Sequence, residues 1–278
     1  MEIRYEVLND NILSLELQSR ISRRMYRSIK ANNIDIYVNG IKTFLYMKIK
    51  KGDIISFDYD IKKEISWPLY EAMLDIKYLD DNYLVLNKRK NLLTIPTKSN
   101  PTSVYQEVLY YLKKEKDFEG TVSIINRLDY QTSGLMLIAL NKPAANKQKD
   151  INHIKRKYEA LVEGIIEEDS GIVNIGIKKD DNSNKRIASP NGINAITHYN
   201  VLKRYSDKTL VQFELETGRT HQIRVHSAYM NHPIVGDALY GNNINSDLYL
   251  TSTYIEFENY ENKKIKISIN NWWNNEER

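Results

Sequence analysis

The feature that most constrains the fold is a long series of short apolar runs between Leu74 and Glu216. Each run has the length and composition of a strand, and polar turns separate one run from the next. The strand candidates are "LDIKYL", "NYLVLNK", "TVSIIN", "GLMLIAL", "KYEALVEG", "AITHYNVLKRY" and "KTLVQFELE". Helical patterns are fewer, and the clearest span residues 101–116, 142–155 and 220–230. Because strands and helices do not alternate regularly, we predict an α+β fold with a mixed, largely antiparallel sheet.

The length of 278 residues suits one large domain, or a large domain with a small one. Hydrophobic residues make up 41% of the chain, which is enough for a core, so general disorder is not expected. The chain contains no cysteine. Disulfides, thiolate metal sites and cysteine nucleophiles are therefore excluded.

The first 60 residues have the pattern of a small α/β unit. "ISRRMYRSIKAN" predicts a helix with Met25 and Ile29 facing inward and with Arg23, Arg27 and Lys30 on another face. "IDIYV" and "IKTFLYMKI" predict two strands joined by an Asn-Gly turn, and "KKGDIISFDY" predicts a turn and a last strand.

These patterns divide the chain into three parts. We expect a small domain at residues 1–60, a linker at 61–73 in which Pro68 breaks any helix, and a main domain at 74–278.

Positive charge is concentrated in two segments, although the whole chain carries only +4. Residues 20–51 hold nine Lys or Arg and one acid, 9 − 1 = +8, and residues 142–157 hold six and one, 6 − 1 = +5. Such segments favour a polyanion partner. An ordinary solvated helix and hairpin is the alternative for the first segment. Because the charge covers both elements, we expect Arg23, Arg27 and Lys30 to bind RNA.

The N-terminal sequence "MEIRYEVLND" lacks the basic and apolar regions of a signal peptide. No run approaches the roughly 18 apolar residues of a membrane helix. We therefore expect a soluble, cytoplasmic protein with no membrane partner.

One polar insert interrupts two segments that look like buried strands. In "INRLDYQTSGL", residues 125–135, it places Asn126, Arg127 and Asp129 between the apolar "VSII" and "GLMLIAL". The insert is either a connecting loop or an active site.

Two further stretches are candidates for chemistry. One is "RKYEALVEG", residues 156–164. The other, residues 216–241, carries five cationic or titratable side chains within fourteen residues: Arg219, His221, Arg224, His226 and His232.

Other classes of site fit these stretches poorly. His221 and His226 are five residues apart, so they do not share a helix face as a two-histidine zinc motif requires, and nearby arginines would repel a cation. Ser133 lacks the glycine two residues before it that a serine nucleophile elbow needs. Phosphate-loop and dinucleotide fingerprints are absent from the sequence.

Taken together, the motifs resemble the RluA-type family of RNA pseudouridine synthases. The motifs that carry the resemblance are "NRLDYQTSGLMLIAL", "KYEALVEG", "TGRTHQIRVH…HPIVGDALYG" and the opening segment "DIKYLDDNYLVLNKRKNLLTIP". The similarity spans about residues 70–257. It departs from the family pattern at Asn126, where histidine is usual, at "KRKNLLTIP" and at Leu140.

The first unit is similar to the small RNA-binding domain first known from a ribosomal small-subunit protein. "SRRMYRSIK", "IYVNGIK" and "IKKGDIISF" carry this similarity, whereas "NILSLELQ" matches the opening helix of that domain weakly.

The resemblance implies an isomerisation that needs no cofactor and no metal. Asp129 would be the catalytic carboxylate, acting either as a nucleophile at the anomeric carbon or as a base for the 2′ proton. Arg224 would pair with Asp129, and Tyr158 would pack against the target base. Without the motifs, a structural salt bridge and a core tyrosine would be the better interpretations, since the chain has 20 tyrosines.

The remaining polar residues would serve binding and geometry. Arg127, Arg219 and His221 would contact RNA, and Arg127 could occupy the space left by an extruded base. The Thr-Ser-Gly turn would present Asp129, with Gly134 allowing an unusual backbone angle or close packing.

The leading interpretation is a synthase, expected to be a monomer, that modifies structured RNA, with large-subunit ribosomal RNA favoured over transfer RNA. The alternative is a non-catalytic RNA-binding or ribosome assembly factor on the same fold.

Overall fold

The computed structural model divides the chain into two compact units, residues 1–66 and residues 67–278. The described residues are 2–21, 23–31, 33–58, 68–97, 99–149, 153–183, 185–241 and 247–275. Most of the linker expected at 61–73 lies outside these ranges.

The first unit combines two helices with short antiparallel strands. Its elements are β1 (Glu2–Glu6), β2 (Asn11–Ile12), α1 (Leu13–Arg20), α2 (Arg23–Ala31), β3 (Ile36–Val38), β4 (Ile41–Thr43), β5 (Lys48–Ile49) and β6 (Ile54–Asp58). One sheet has the order β1-β6-β3-β4, and β2 pairs with β5. Leu13, Leu17, Ile29 and Phe57 are buried together, with Met25 packed against them, so the inward face predicted for α2 is confirmed.

The single strand predicted from "IKTFLYMKI" is wrong. The segment forms β4, a turn closed by the Met47 N–H donating to the Phe44 carbonyl at 3.0 Å, and then β5. The turn leaves Phe44 and Tyr46 exposed by 63% and 73%, with their rings stacked 5.6 Å apart and 5° from parallel. Leu45, between them, packs against the core of the first unit. The apolar residues 44–47 therefore form a turn and not part of a strand.

The second unit is built on one large sheet. Its elements are β7 (Ile76–Leu79), β8 (Tyr83–Lys88), α3 (Val104–Glu115), β9 (Ser123–Ile124), β10 (Ser133–Ala139), α4 (Lys142–Lys147), β11 (Lys155–Glu163), β12 (Ser170–Asn174), β13 (Ile177–Lys179), β14 (Arg186–Ala188), β15 (Ile196–Arg204), β16 (Lys208–Leu215), α5 (Gln222–Tyr229), β17 (Leu250–Glu258), β18 (Lys264–Ser268) and a 3₁₀ turn (Trp272–Asn275).

The central path of the sheet is β12-β15-β16-β11-β17-β10-β8-β7, with β18 beside β17 and β9 beside β10. Among the paired strands described, only β10 and β17 run parallel. The predicted α+β fold with a mixed, largely antiparallel sheet is confirmed. No helix in the described part of the chain is long and apolar enough to cross a membrane.

Strand β10 is buried on both faces, which explains its unbroken apolar sequence. Leu135 and Leu137 pack in one core cluster, and Met136 and Ile138 pack in the other. At the start of the strand Gly134 has φ +112°, and a Cβ there would lie 2.3 Å from the Ser252 carbonyl oxygen. The expected need for glycine at this position is confirmed.

The helix predicted over residues 142–155 is too long. Helix α4 ends at Lys147, and β11 begins at Lys155, paired with Glu256 of β17. Residues 150–152 lie outside the described ranges. From Lys155 onward, buried and partly exposed residues alternate, as in a strand, and Arg156 and Tyr158 are among the buried ones. The strand pairing of this segment therefore outweighs its helix-like composition.

Candidate active site

Asp129 lies on the loop between β9 and β10, and side chains from both ends of the loop fix its path. Asn126 is buried, donates from Nδ2 to the Leu135 carbonyl at 3.3 Å and accepts from the Leu137 N–H at 2.6 Å. The Thr132 N–H donates to the Asp129 carbonyl at 3.2 Å, which forms a turn. Asn126, which departs from the family pattern, therefore ties the loop to β10.

Lys88, at the end of β8, fixes the same loop from the other side. Its side chain is 1% exposed, and Nζ donates to the carbonyls of Arg89 (2.9 Å), Leu92 (2.9 Å) and Tyr130 (3.1 Å). Burial lowers the pKa of Lys88 to about 7, and the charge of Asp129 opposes that shift. Sequence reasoning missed this residue; the only signal was one cation closing the apolar run "NYLVLN".

The three stretches singled out in the sequence meet around one cavity of about 270 Å³. Its charged, titratable or hydroxyl-bearing lining includes Arg127, Asp129, Thr132, Arg156, Tyr158, Arg219, Thr220, His221 and Arg224. Asp129 is the only carboxylate among the described residues that line the cavity. The six site residues predicted in the second unit are thus brought together.

Asp129 faces the guanidinium of Arg224, as predicted. Arg224 Nη1 lies 3.5 Å from Asp129 Oδ2. The stronger partner of Arg224 is Asp237, which accepts from Nε and Nη2 at 2.7 Å each. Although burial alone would lower it, the hydrogen bonds to Asp237 and the charges of Asp237 and Asp129 raise the pKa of Arg224.

Asp237 is a site residue that lies within the third stretch but to which sequence reasoning gave no role. It is 0% exposed and also accepts from the backbone N–H groups of Leu239 (2.9 Å) and Tyr240 (3.1 Å). A buried carboxylate must be paired, and the carboxylate of Asp237 is paired with Arg224. This pairing fixes the Arg224 guanidinium next to Asp129.

His221 also approaches the carboxylate. Its Nε2 lies 3.9 Å from Asp129 Oδ2, and its Nδ1 lies 2.9 Å from the Tyr240 hydroxyl. The residue precedes α5 with φ +58°, a left-handed conformation that is uncommon for a residue with a side chain. His221 therefore lies at the carboxylate, and the RNA contact predicted for it stays a prediction.

The imidazole of His221 is half-buried among charges of both signs. Burial lowers its pKa most, and Arg224 and Arg186 lower it further, whereas Asp129 and Asp237 raise it. The net shift is downward, so the ring is neutral at neutral pH.

Tyr158 lies on β11 in the cavity wall and is buried. Burial raises the pKa of its hydroxyl, and the nearby Arg156 charge opposes that shift. Tyr158 therefore presents a neutral phenol ring to the cavity, which suits contact with an aromatic base.

Three further guanidinium groups surround the carboxylate. Arg127 and Arg219 are exposed at the cavity, and Arg219 Nε donates to the Asn194 carbonyl at 2.9 Å. Arg156, which sequence reasoning did not single out, is 3% exposed, and within the described residues its Nη2 has no hydrogen-bond partner. The cavity is therefore strongly cationic around a single carboxylate, as binding to an anion requires.

The histidines of the third stretch do not form a metal site. His226 lies between Thr197 Oγ1 (2.8 Å) and the Ile175 carbonyl (3.2 Å), and His232 Nδ1 lies 2.9 Å from the Glu163 carbonyl. The described parts of the chain contain no group of three side chains suited to a metal ion.

The helix residues predicted to bind RNA belong to the first unit. Arg27 and Lys30 are exposed on α2, and the side chain of Arg23 lies outside the described residues.

Comparison with known proteins decides the family. The sequence profile described as RNA pseudouridylate synthase matches residues 82–229. The chain belongs to this family. It is therefore an RNA pseudouridine synthase, an isomerase, and the resemblance to RluA-type enzymes is confirmed.

Two curated relatives illustrate the similarity. The synthase is 35% identical over 227 residues to "Uncharacterized RNA pseudouridine synthase YjbO" of Bacillus subtilis, covering 80% of each chain. It is 36% identical over 199 residues to "Ribosomal large subunit pseudouridine synthase D" of Yersinia pestis, covering 70% of this chain but only 61% of that protein.

A solved structure shares the fold of the synthase. "Human RNA Pseudouridylate Synthase Domain Containing 1" superposes with a TM-score of 0.61 at 22% identity, covering 73% of this chain and 86% of that one.

Proposed function

We propose that the synthase converts specific uridines of large-subunit ribosomal RNA to pseudouridine, with Asp129 as the catalytic carboxylate. In this isomerisation the bond from ribose C1′ to uracil N1 breaks, and a bond from C1′ to C5 of the same base forms. The proton on C5 is lost and N1 gains one, so atoms balance without a co-reactant.

The observation that carries the proposal is the composition of the cavity lining: among the residues that the structure describes, it holds four arginines and a single carboxylate, that of Asp129. A glycosidase of the usual kind flanks its bond with two carboxylates, one of which activates or replaces water. One carboxylate is sufficient when the sugar is returned to the same base. Asp129 could attack C1′ directly or remove the 2′ proton, and in both routes the reacting group is its carboxylate. Arg224 Nη1 lies 3.5 Å from that carboxylate.

Three cavity residues have roles in binding the target nucleotide. A uridine must leave its stack to reach Asp129, at a cost of roughly a few kcal/mol. Tyr158 packs against the extruded base with its neutral ring. Arg127 and Arg219, exposed at the cavity, bind the flanking phosphates or occupy the space that the base vacates.

The first unit supplies affinity for RNA. Arg27 and Lys30 are exposed on α2. Lys48 and Lys50 are also exposed, and they follow the stacked Phe44–Tyr46 pair in the sequence. Exposed aromatic rings beside cations are typical of surfaces that stack unpaired bases and track a phosphate backbone.

Large-subunit ribosomal RNA is favoured because relatives such as the Yersinia pestis protein carry that substrate class in their names. The test is a map of pseudouridines across total RNA in cells with the gene, without it, and with the gene restored. We expect sites in large-subunit ribosomal RNA to vanish on deletion and return with the unmodified gene but not with Asp129→Asn. Sites confined to transfer RNA would contradict the substrate, and their return with Asp129→Asn would contradict the role of Asp129.

A further inference from the structure

The Tyr240 hydroxyl connects the backbone of β14 to the ring of His221. The Arg186 N–H donates to this hydroxyl at 2.9 Å, and His221 Nδ1 lies 2.9 Å from the same oxygen. With one donor already directed at the oxygen, the hydroxyl hydrogen is available for an acceptor, and Nδ1 is the group in reach. A neutral imidazole carries one N–H, so an accepting Nδ1 leaves the proton on Nε2.

The Nε2–H group then points toward the carboxylate. Nε2 approaches Asp129 Oδ2 to 3.9 Å, and Arg224 Nη1 approaches the same oxygen to 3.5 Å. These distances exceed those of formed hydrogen bonds, and catalytic contacts commonly shorten when substrate binds. Two donors on one oxygen fix the rotation of the carboxylate and thereby the position of its other oxygen.

We propose that Tyr240 holds His221 in the tautomer that carries its proton on Nε2, and that His221 thereby orients the Asp129 carboxylate as a neutral hydrogen-bond donor. The inference rests on the proposed role of Asp129. His221 and Tyr240 are then positioning residues. In the opposite tautomer the Nε2 lone pair would face the carboxylate, which is repulsive.

Contacts that do not involve His221 fix the tyrosine. The Tyr240 N–H donates to Asp237 at 3.1 Å, and its ring centre lies 5.1 Å from the guanidinium carbon of Arg224. His221 itself holds φ +58°, and strained backbone of this kind concentrates at functional sites. The same tyrosine thus packs against one partner of Asp129 and sets the proton of the other.

The tautomer can be read directly by ¹⁵N magnetic resonance of the full chain labelled at its five histidines. His221→Gln identifies the resonances of the residue. We expect Nε2 to carry the proton in the unmodified protein and Tyr240→Phe to populate the other tautomer. A proton on Nδ1 of His221 in the unmodified protein would overturn the inference.

Kinetics test whether the tautomer matters for the reaction. Tyr240→Phe and His221→Leu should each slow the single-turnover rate on bound RNA by about five- to tenfold, the size of one positioned hydrogen bond, and leave RNA affinity unchanged. Tyr229→Phe, an exposed tyrosine of α5, is the matched control. His221→Gln places an amide N–H near the Nε2 position and should be faster than His221→Leu.

A double variant separates positioning from a general structural role. In the His221→Leu background, Tyr240→Phe should cause no further loss, because Tyr240 acts through His221. An equal loss in both backgrounds would overturn the inference, as would full activity of Tyr240→Phe alone. If His221→Leu does not fold, the near-isosteric Tyr240→Phe variant and the magnetic resonance experiment still test whether Tyr240 sets the tautomer of His221.

Failure of this inference is distinct from failure of the proposed function. An inactive Asp129→Asn beside a fully active Tyr240→Phe would reject the positioning role alone. A fully active Asp129→Asn would reject the function on which that role depends.

Discussion

At the scale of single residues, Lys88 makes the stability of the folded protein depend on pH. Its pKa is lowered to about 7 in the folded state, so between about pH 7 and 10 the unfolded chain binds the extra proton. Stability contributed by this group therefore rises with pH over that window. We expect the free energy of unfolding of the unmodified protein to increase relative to that of Lys88→Met between pH 7 and 10.

Urea unfolding at several pH values measures this difference, with Lys113→Met on the exposed side of α3 as the control. Parallel curves for the unmodified protein and Lys88→Met would contradict the prediction.

The Arg224–Asp237 pair allows the structural and catalytic roles of Arg224 to be separated. Arg224→Leu leaves a buried carboxylate unpaired and should cost about 3–5 kcal/mol of unfolding free energy. Adding Asp237→Asn removes the charge and keeps an oxygen for the Leu239 and Tyr240 N–H groups, so stability should be largely restored. Activity should stay low, because Asp129 still lacks its cation.

Calorimetry and turnover of both variants check this expectation. A folded Arg224→Leu/Asp237→Asn protein with full activity at neutral pH would make Arg224 a structural residue only.

At the scale of elements, α2 is predicted to bind RNA through charge. Replacing Arg23, Arg27 and Lys30 with alanine should weaken RNA binding. It should also reduce the slope of log affinity against log salt by about 0.7 to 0.9 for each phosphate that α2 no longer neutralises. Affinity titrations at several salt concentrations measure this slope. A slope unchanged by the triple variant would exclude α2 from the interface.

The turn between β4 and β5 should contribute in a different way. Phe44→Ala with Tyr46→Ala removes base stacking, worth roughly 1–3 kcal/mol per base, but removes no charge. Affinity for single-stranded RNA should fall while the salt slope stays the same. Tyr260→Ala, an exposed tyrosine of the second unit, is the control. Equal affinity of the double variant and the control would contradict a stacking role.

The same elements show where sequence patterns mislead. "KPAANKQKDINHIK" has the composition of a helix, yet its end is a strand, because pairing of Lys155 with Glu256 depends on β17 a hundred residues away. "IKTFLYMKI" contains the apolar run "FLYM" at residues 44–47, but Phe44 and Tyr46 lie in a turn and face solvent. Local propensity is weaker than such tertiary constraints.

At the scale of the whole molecule, strand composition and ordered motifs predicted the fold class and the group of residues that line the cavity. They did not reveal Lys88 or Asp237, whose roles depend on contacts made by folding. Lys88 reaches Tyr130 across 42 positions, and the Asp237–Arg224 pair spans 13. A lone lysine after a strand and an aspartate after Gly236 carry no local signal of burial.

The central claim is that Asp129 performs the isomerisation, and the most direct measurement is tritium release from RNA labelled at C5 of uridine. Asparagine keeps the shape of the side chain but cannot serve as a nucleophile or take the 2′ proton. We predict that Asp129→Asn lowers release by roughly three orders of magnitude or more while RNA binding persists, since loss of a negative charge does not weaken attraction to a polyanion. A folded Asp129→Asn variant that releases tritium at the rate of the unmodified protein would contradict the claim.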